Sequence, residues 1–218
     1  NYAIDREALN KSLLDGKCTP SSQPLQEGAE GHRVESGDFG YQFDPEKARD
    51  LLAEAGYENG LTLEGVTAGD ISQLGVAMQS QLANVGIEIE FRRTDFNDSL
   101  AVWQSDEVDA FLFASNATAD AAVTIHDRYL GSNQRGPLPD GFQNALVEAL
   151  GLESGDPDRE ALLAELTTMA SEQPMDLFVC APTNSYLHSA DVLGFETMAS
   201  PFAGGPFSLR DVQLAEGE

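Results

Sequence analysis

Residues 61–114 alternate strand and helix patterns in an order that leaves few folds open. Asn59-Gly60 turns into a short strand, Leu61 to Val66. A helix follows, capped by Asp70, with Leu74, Met78, Leu82 and Val85 pointing inward and Gly86 as its stop. Ile87, Ile89 and Phe91 then alternate with Glu88, Glu90 and Arg92, which marks a half-buried strand. Asp95 or Asn97 begins a short helix carrying Leu100, Val102 and Trp103. Val108 to Ala114 is a near-continuous apolar run, as expected of a strand covered on both faces. Strand–helix–strand units cross over with one hand and leave their strands parallel. The expectation is an α/β fold with a mixed, mostly parallel sheet flanked by helices.

The flanking segments add helices. Residues 1–15 read as a helix through Ile4, Leu9, Leu13 and Leu14, ended by Gly16. No residue precedes Asn1 to cap it, so we expect the chain to continue upstream. Residues 17–43 are rich in Pro, Ser, Gly and acids, a long irregular stretch of the kind that crosses a domain or serves function. Asp44-Pro45 is a helix start, with Ala48, Leu51, Leu52 and Ala55 as the apolar stripe and Gly56 past the end. Three further helices are expected at about 121–130, 140–150 and 157–172, the last opened by Asp156-Pro157 and striped by Leu162, Leu166, Met169 and Ala170. Met175 to Ala181 reads as a last apolar strand, and the tail through Gly204-Gly205-Pro206 as irregular. The division expected is 1–43, a helix plus irregular segment; 44–190, the α/β unit; and 191–218, a tail.

Charge narrows the function classes. The chain of 218 residues has 37 acidic against 12 basic residues, a net charge of −25. Such a surface repels phosphate backbones and anionic lipid headgroups, so no nucleic-acid partner is expected. No apolar run is long enough to span a bilayer. Only Lys11, Lys17 and Lys47 are lysines, and the other bases are arginines. Scarce lysine with dense carboxylates suits molar salt, where a Debye length of roughly 3 Å screens acid–acid repulsion. We therefore expect a halophilic protein.

Chemistry is sparse. There is no GxSxG, P-loop, glycine-rich dinucleotide fingerprint or HExxH. His32, His126 and His188 lie apart, and the adjacent His126-Asp127 side chains should diverge on a helix surface. Asp95-Phe96-Asn97-Asp98 lacks the ligand spacing of a calcium loop and fits a helix cap. No catalytic residue, cofactor or metal is expected. Cys18 and Cys180 form either one disulfide closing a long loop or two free thiols. Phe113-Ala114-Ser115-Asn116-Ala117-Thr118-Ala119-Asp120 follows a buried strand, at the end where α/β sheets bind ligands. Two readings of it stand, a ligand-facing rim and a plain loop whose polar residues cap the next helix.

The order of segments resembles a known family. Tyr2-Ala3-Ile4-Asp5-Arg6-Glu7-Ala8-Leu9 is similar to the "YAIDRE" helix of family 5 extracellular solute-binding proteins, the dipeptide, oligopeptide and nickel receptors of ABC importers. The specific block runs from Tyr41 to Tyr57, resembling the family's "DPEKA…LLAEAGY" segment. Gln79 to Ile87, Val108 to Leu112, Asp156 to Ala170 and Gln173-Pro174 extend the resemblance over nearly the whole chain. It implies a periplasmic-binding-protein-like type II lobe, specifically the C-terminal one. The rest of such a protein would hold the N-terminal lobe, the signal sequence and any lipid anchor.

The resemblance also implies a function. A peptide or similar small solute is captured outside the cell between two lobes and delivered to an ABC permease. Phe113 stands roughly where the family has a Trp, and Asp120 is the acid nearest the position that receives a peptide's amino group. The family's prolines are absent there. Ligand contacts are thus expected at Phe113, Ser115, Asn116 and Asp120, with Thr183 and Asn184 after the last strand. Two alternatives stand beside this reading: an α/β hydrolase using Ser115, and a cell-surface interaction module.

Overall fold

A computed structural model describes residues 1–35, 39–68, 72–115, 118, 120–131, 135–182, 187–194 and 212–215. At its centre lies a parallel sheet of three strands in the order β3-β2-β4. β2 (Leu61–Ala68) and β3 (Ile87–Thr94) run in register from Leu61 opposite Ile87 to Ala68 opposite Thr94. β4 (Ala110–Leu112) lies along Gly65–Thr67 on the other side of β2. α3 (Ser72–Ala83) joins β2 to β3, and α4 (Phe96–Gln104) joins β3 to β4. The two connections leave in opposite directions along the sheet, so right-handed crossovers put α3 and α4 on opposite faces.

The α3 face is the packed one. Leu63, Ile89, Phe91, Ala110 and Leu112 meet Met78, Leu82 and Val85, together with Ala3, Ile4 and Leu9 from the chain start. Gly65 makes room here, since a Cβ would stand 2.6 Å from the Phe91 ring. On the opposite face α4 is the helix described, and Glu64, Glu88 and Glu90 point into solvent.

The last strand of this unit differs from the expectation. The run Val108 to Ala114 is not covered on both faces: only Ala110–Leu112 is strand, and each of its residues is half-buried. Among the described residues β4 is bonded to β2 alone. Its ladder is also closed early by a side chain, because Asp109 Oδ2 accepts the Glu64 N–H at 2.9 Å. Met175 to Ala181 contracts similarly. β5 is Cys180–Pro182, antiparallel to β1 (Cys18–Pro20). The residues before β5 form a seam between two cores. Leu177 and Val179 pack on the sheet core, and Met175 and Phe178 on a second core. The Phe178 carbonyl accepts from Arg6 Nε at 2.8 Å rather than from a neighbouring strand.

One helix departs from its expected extent, and another from its expected burial. α1 spans Arg6–Leu13 and starts outside residues 1–5, with Asp5 as its cap accepting from the Ala8 N–H. The helix is thus capped, and its start says nothing about what precedes the chain. α2 (Pro45–Glu54) begins at Asp44-Pro45 as expected, but buries no residue fully. Ala48 and Leu52 touch the core, whereas Leu51 and Ala55 face solvent. The cap expected at Asp70 lies outside the described residues.

The second core is helical. α5 (Ala121–Tyr129), α6 (Phe142–Leu150) and α7 (Pro157–Glu172) bury Ile125, Tyr129, Phe142, Leu146, Leu163 and Leu166 around Leu25. The segment before α2 is irregular but tightly held. Gly31 sits at φ +80°, where a Cβ would stand 2.4 Å from that of Leu163, so only glycine fits against α7. Thr167 Oγ1 donates to the Gly31 carbonyl at 3.1 Å, and Arg33 Nη1 to Thr168 Oγ1 at 2.6 Å. Arg6, buried, gathers carbonyls from Ser21, Tyr41 and Phe178, tying three passes of the chain to α1. Beside it, Cys18 and Cys180 are joined as a disulfide with Cα atoms 5.7 Å apart. β6 (Val192–Leu193) pairs antiparallel with β7 (Gln213–Leu214). No described helix is long and apolar enough to cross a membrane.

Candidate functional site

The carboxyl end of β4 opens onto a rim built from three sources. The first is aromatic. Phe111 and Phe113 project from the same side of the strand and stack 4.5 Å apart at 21°. Trp103 and Phe96 from α4 approach Phe111 at 6.1 and 6.2 Å. These rings occupy the sheet face that lacks a full helical cover. Beyond them, Ala114 and Ser115 are exposed.

The second source is an arginine from α5. The Arg128 guanidinium lies 5.4 Å from the Phe113 ring and 4.8 Å from that of Phe178. It donates to both carboxylate oxygens of Asp176, at 3.0 and 2.7 Å. Burial alone would lower its affinity for a proton. The facing Asp176 carboxylate outweighs this and raises it, so the charge is fixed. This pair bridges α5 and the seam segment.

The third source is the start of α5. Asp120 caps the helix, its Oδ1 accepting the Val123 N–H at 3.0 Å. Thr118 closes the turn, its hydroxyl donating to the Asp120 carbonyl at 2.5 Å and its N–H to Thr124 Oγ1 at 2.8 Å. Asp120 Oδ1 also accepts from Arg159 Nη2 at 2.5 Å. Arg159 is 2% exposed, and its other donors reach Glu30 at 2.5 Å and the Ala149 carbonyl at 3.0 Å. Burial pushes the Asp120 carboxyl up, but the Val123 N–H and Arg159 more than compensate and hold it below its usual value.

Of the residues expected at the site, Phe113, Ser115 and Asp120 all lie on this stretch between β4 and α5, Phe113 half-buried under the rim and Ser115 exposed. Asn116, Thr183 and Asn184 lie outside the described residues. Arg128, Asp176, Arg159 and Glu30 were not expected from the sequence. Their partnerships span 48, 39 and 129 residues, so no local pattern signals them. His126 and Asp127, expected to diverge, instead meet at 3.0 Å through Nδ1 and Oδ1, because both side chains are exposed and free to turn together. Asp95 caps α4, accepting the Asp98 N–H at 3.0 Å. Among the described residues no cluster of His, Cys, Asp or Glu is arranged to hold a metal.

The candidate site is thus a short polar stretch at the carboxyl end of a parallel strand, and comparison with known proteins gives the family of the chain. The middle region of the bacterial extracellular solute-binding proteins, family 5, matches residues 1–137, and the chain belongs to that family. It is 37% identical over 98 residues to the glutathione-binding protein GsiB of Pectobacterium atrosepticum, covering 44% of this chain and 18% of that relative. A dipeptide binding protein from Pseudoalteromonas sp. SM9913, solved in complex with Met-Leu, superposes with a TM-score of 0.75 at 20% identity, over 98% of this chain and 43% of that one. HbpA2 from Haemophilus parasuis gives 0.76 at 19% identity, over 98% and 43%. The fold is accordingly α/β, of the type II periplasmic-binding-protein class. The chain spans less than half the length of these relatives.

Proposed function

We propose that this chain is the C-terminal, ligand-binding lobe of an ABC-transporter substrate-binding protein, which captures a peptide or similar small solute outside the cell and passes it to a permease. The observation that carries this is the likeness, over nearly the whole chain, to a protein holding a dipeptide. The glutathione-binding relative supports the same ligand class. The work of such a protein is binding, with no catalysed step. The N-terminal lobe of the same protein is its first partner, and the two close about a hinge around the ligand. Residues 44–190 would be the ligand-binding unit, 1–43 a hinge-proximal segment and 191–218 a tail toward the other lobe. The contacts on this side would come from Phe113, Ser115, Asn116, Asp120, Thr183 and Asn184.

The location follows from the function: the cell surface, with any anchor on the N-terminal side. The charge of −25 and the scarcity of lysine support a halophilic source, whose external brine this surface would meet.

Calorimetry with di- and tripeptides tests the reading. The intact protein should bind at least one of them, and the lobe alone weakly or not at all. Equally tight binding by the lobe alone would sink the two-lobe mechanism.

A further inference from the structure

We infer that Arg159 is the positioning residue of the ligand rim: from a site shielded from solvent, it fixes the direction of the Asp120 carboxylate. This rests on the reading of residues 113–120 as the ligand-facing loop.

One guanidinium holds three separate pieces of chain. Its Nε bonds the Ala149 carbonyl near the end of α6, Nη1 bonds Glu30 in the segment before α2, and Nη2 bonds Asp120 at the start of α5. The exposure of the three side chains is graded, at 2% for Arg159, 16% for Glu30 and 42% for Asp120. Only the Asp120 end therefore meets solvent and a ligand. A planar fork with fixed donor directions constrains an acceptor more than a flexible ammonium would. The constraint passes outward: Asp120 Oδ1 also takes the Val123 N–H, while the Asp120 carbonyl takes the Thr118 hydroxyl. The shape of the rim is thus set by a residue on α7, 39 positions along the chain.

The charge arithmetic has a consequence. One arginine is shared between two carboxylates, so Glu30 competes with Asp120 for it. A purely structural rivet would respond to loss of either partner with the same loosening. A shared cation predicts opposite responses at Asp120.

The test is a carbon-detected carboxyl titration of Asp120 in the intact protein at molar KCl, for Arg159→Gln and Glu30→Gln. Arg159→Gln should raise the Asp120 midpoint to or above the ordinary value of about 3.9, as Glu30 and Asp120 then face each other uncompensated. Glu30→Gln should lower it below the natural protein's, because Arg159 then serves Asp120 alone. Should Arg159→Gln fail to fold, Glu30→Gln still decides the direction. A midpoint unmoved by either substitution, or raised by both, overturns the inference. A peptide that the natural protein binds should bind about tenfold more weakly to Arg159→Gln, the loss expected for one charged hydrogen bond. Arg159→Lys keeps the charge but not the fork, so it should hold the Asp120 midpoint below that of Arg159→Gln while leaving most of the affinity loss in place; full recovery of affinity by the lysine would overturn the role of the fork. If the titrations behave as stated and no peptide binds the natural protein, the ligand-lobe reading falls, and with it the assignment of a ligand-positioning role. Unchanged peptide affinity in Arg159→Gln also overturns that role.

Discussion

The sheet unit and the helical unit of this chain handle charge and burial in opposite ways. In the helical unit Phe142, Leu146, Leu163 and Leu166 are all sealed at 0% exposure. Its border admits a charged side chain, Arg159, only with two carboxylates and a carbonyl to satisfy it. In the sheet unit the core is leakier at Leu82 and Ile89, 8% and 7% exposed, and the second sheet face is covered by α4 and its aromatic rings over only part of its width, leaving Glu64, Glu88 and Glu90 exposed. There the acids are set side by side. Glu64 stands directly opposite Glu90 across β2 and β3, and Asp109 bonds the Glu64 N–H from the other side. One unit neutralises its buried charge by pairing, and the other leaves exposed like charges facing each other across its strands, beside an exposed Arg92–Glu107 pair at 3.9 Å. The two should therefore fail under different stresses.

Removing salt should have the largest effect. Lowering KCl from molar to millimolar lengthens the Debye length from about 3 Å to 30 Å or more, and like charges opposite one another in a sheet are destabilising. The expected outcome is loss of far-UV circular dichroism, with amide protection lost in Leu61–Ala68 and Ile87–Thr94 before α6 and α7. An unchanged signal would overturn the halophilic reading. Loss in both units at the same salt concentration would erase the contrast between them.

The disulfide comes next and should not discriminate. The Cys18–Cys180 bond spans 162 residues and encloses both units. Chain entropy assigns such a loop up to about 5 kcal/mol. Replacing both cysteines by serine should lower the denaturant midpoint of the two units together. A shift confined to one unit would mean that they unfold independently. Core truncation should separate them again. Phe142→Ala in the sealed cluster should cost about 3–5 kcal/mol, and Leu82→Ala, at the leakier sheet core, about 2 kcal/mol. Urea unfolding followed by circular dichroism checks both, and equal losses would show the sheet core to be as tight as the helical one.

The sequence carried the helical unit almost whole, because its signals are local. Asp156-Pro157 starts α7, and Leu166 and Ala170 recur at helical spacing toward the core. The β/α/β/α/β order of residues 61–112 was legible for the same reason. What the sequence could not carry is anything set by neighbours distant along the chain. Val108 to Ala114 looks like a covered strand because apolar periodicity reports side chains, not whether a second strand lies alongside. Met175 to Ala181 looks like a strand because it is an apolar run, yet its side chains serve two different cores and its Phe178 carbonyl is taken by Arg6. The site was legible only as a stretch, 113–120. The arginines that border its described residues, Arg128 and Arg159, answer to Asp176, Glu30 and Asp120, and nothing in a linear pattern pairs them.

The smallest effect offers the sharpest check on the contrast. Glu64→Gln leaves the size and the exposed position of the side chain nearly unchanged, and it leaves the Glu64 backbone bond to Asp109 in place. It removes one charge from the row formed with Glu90 and Asp109. A cross-strand pair contributes roughly 0.2–1 kcal/mol, so at molar salt, where the repulsion is already screened, the substitution should be nearly silent. At low salt it should stabilise, moving the KCl midpoint for loss of the sheet signal downward. Glu153→Gln, on the loop between α6 and α7, is the control, since it changes the net charge by the same amount outside the sheet. If both substitutions move the midpoint equally, the salt requirement belongs to the net charge of −25 as a whole. If only Glu64→Gln moves it, the requirement is written into the sheet face.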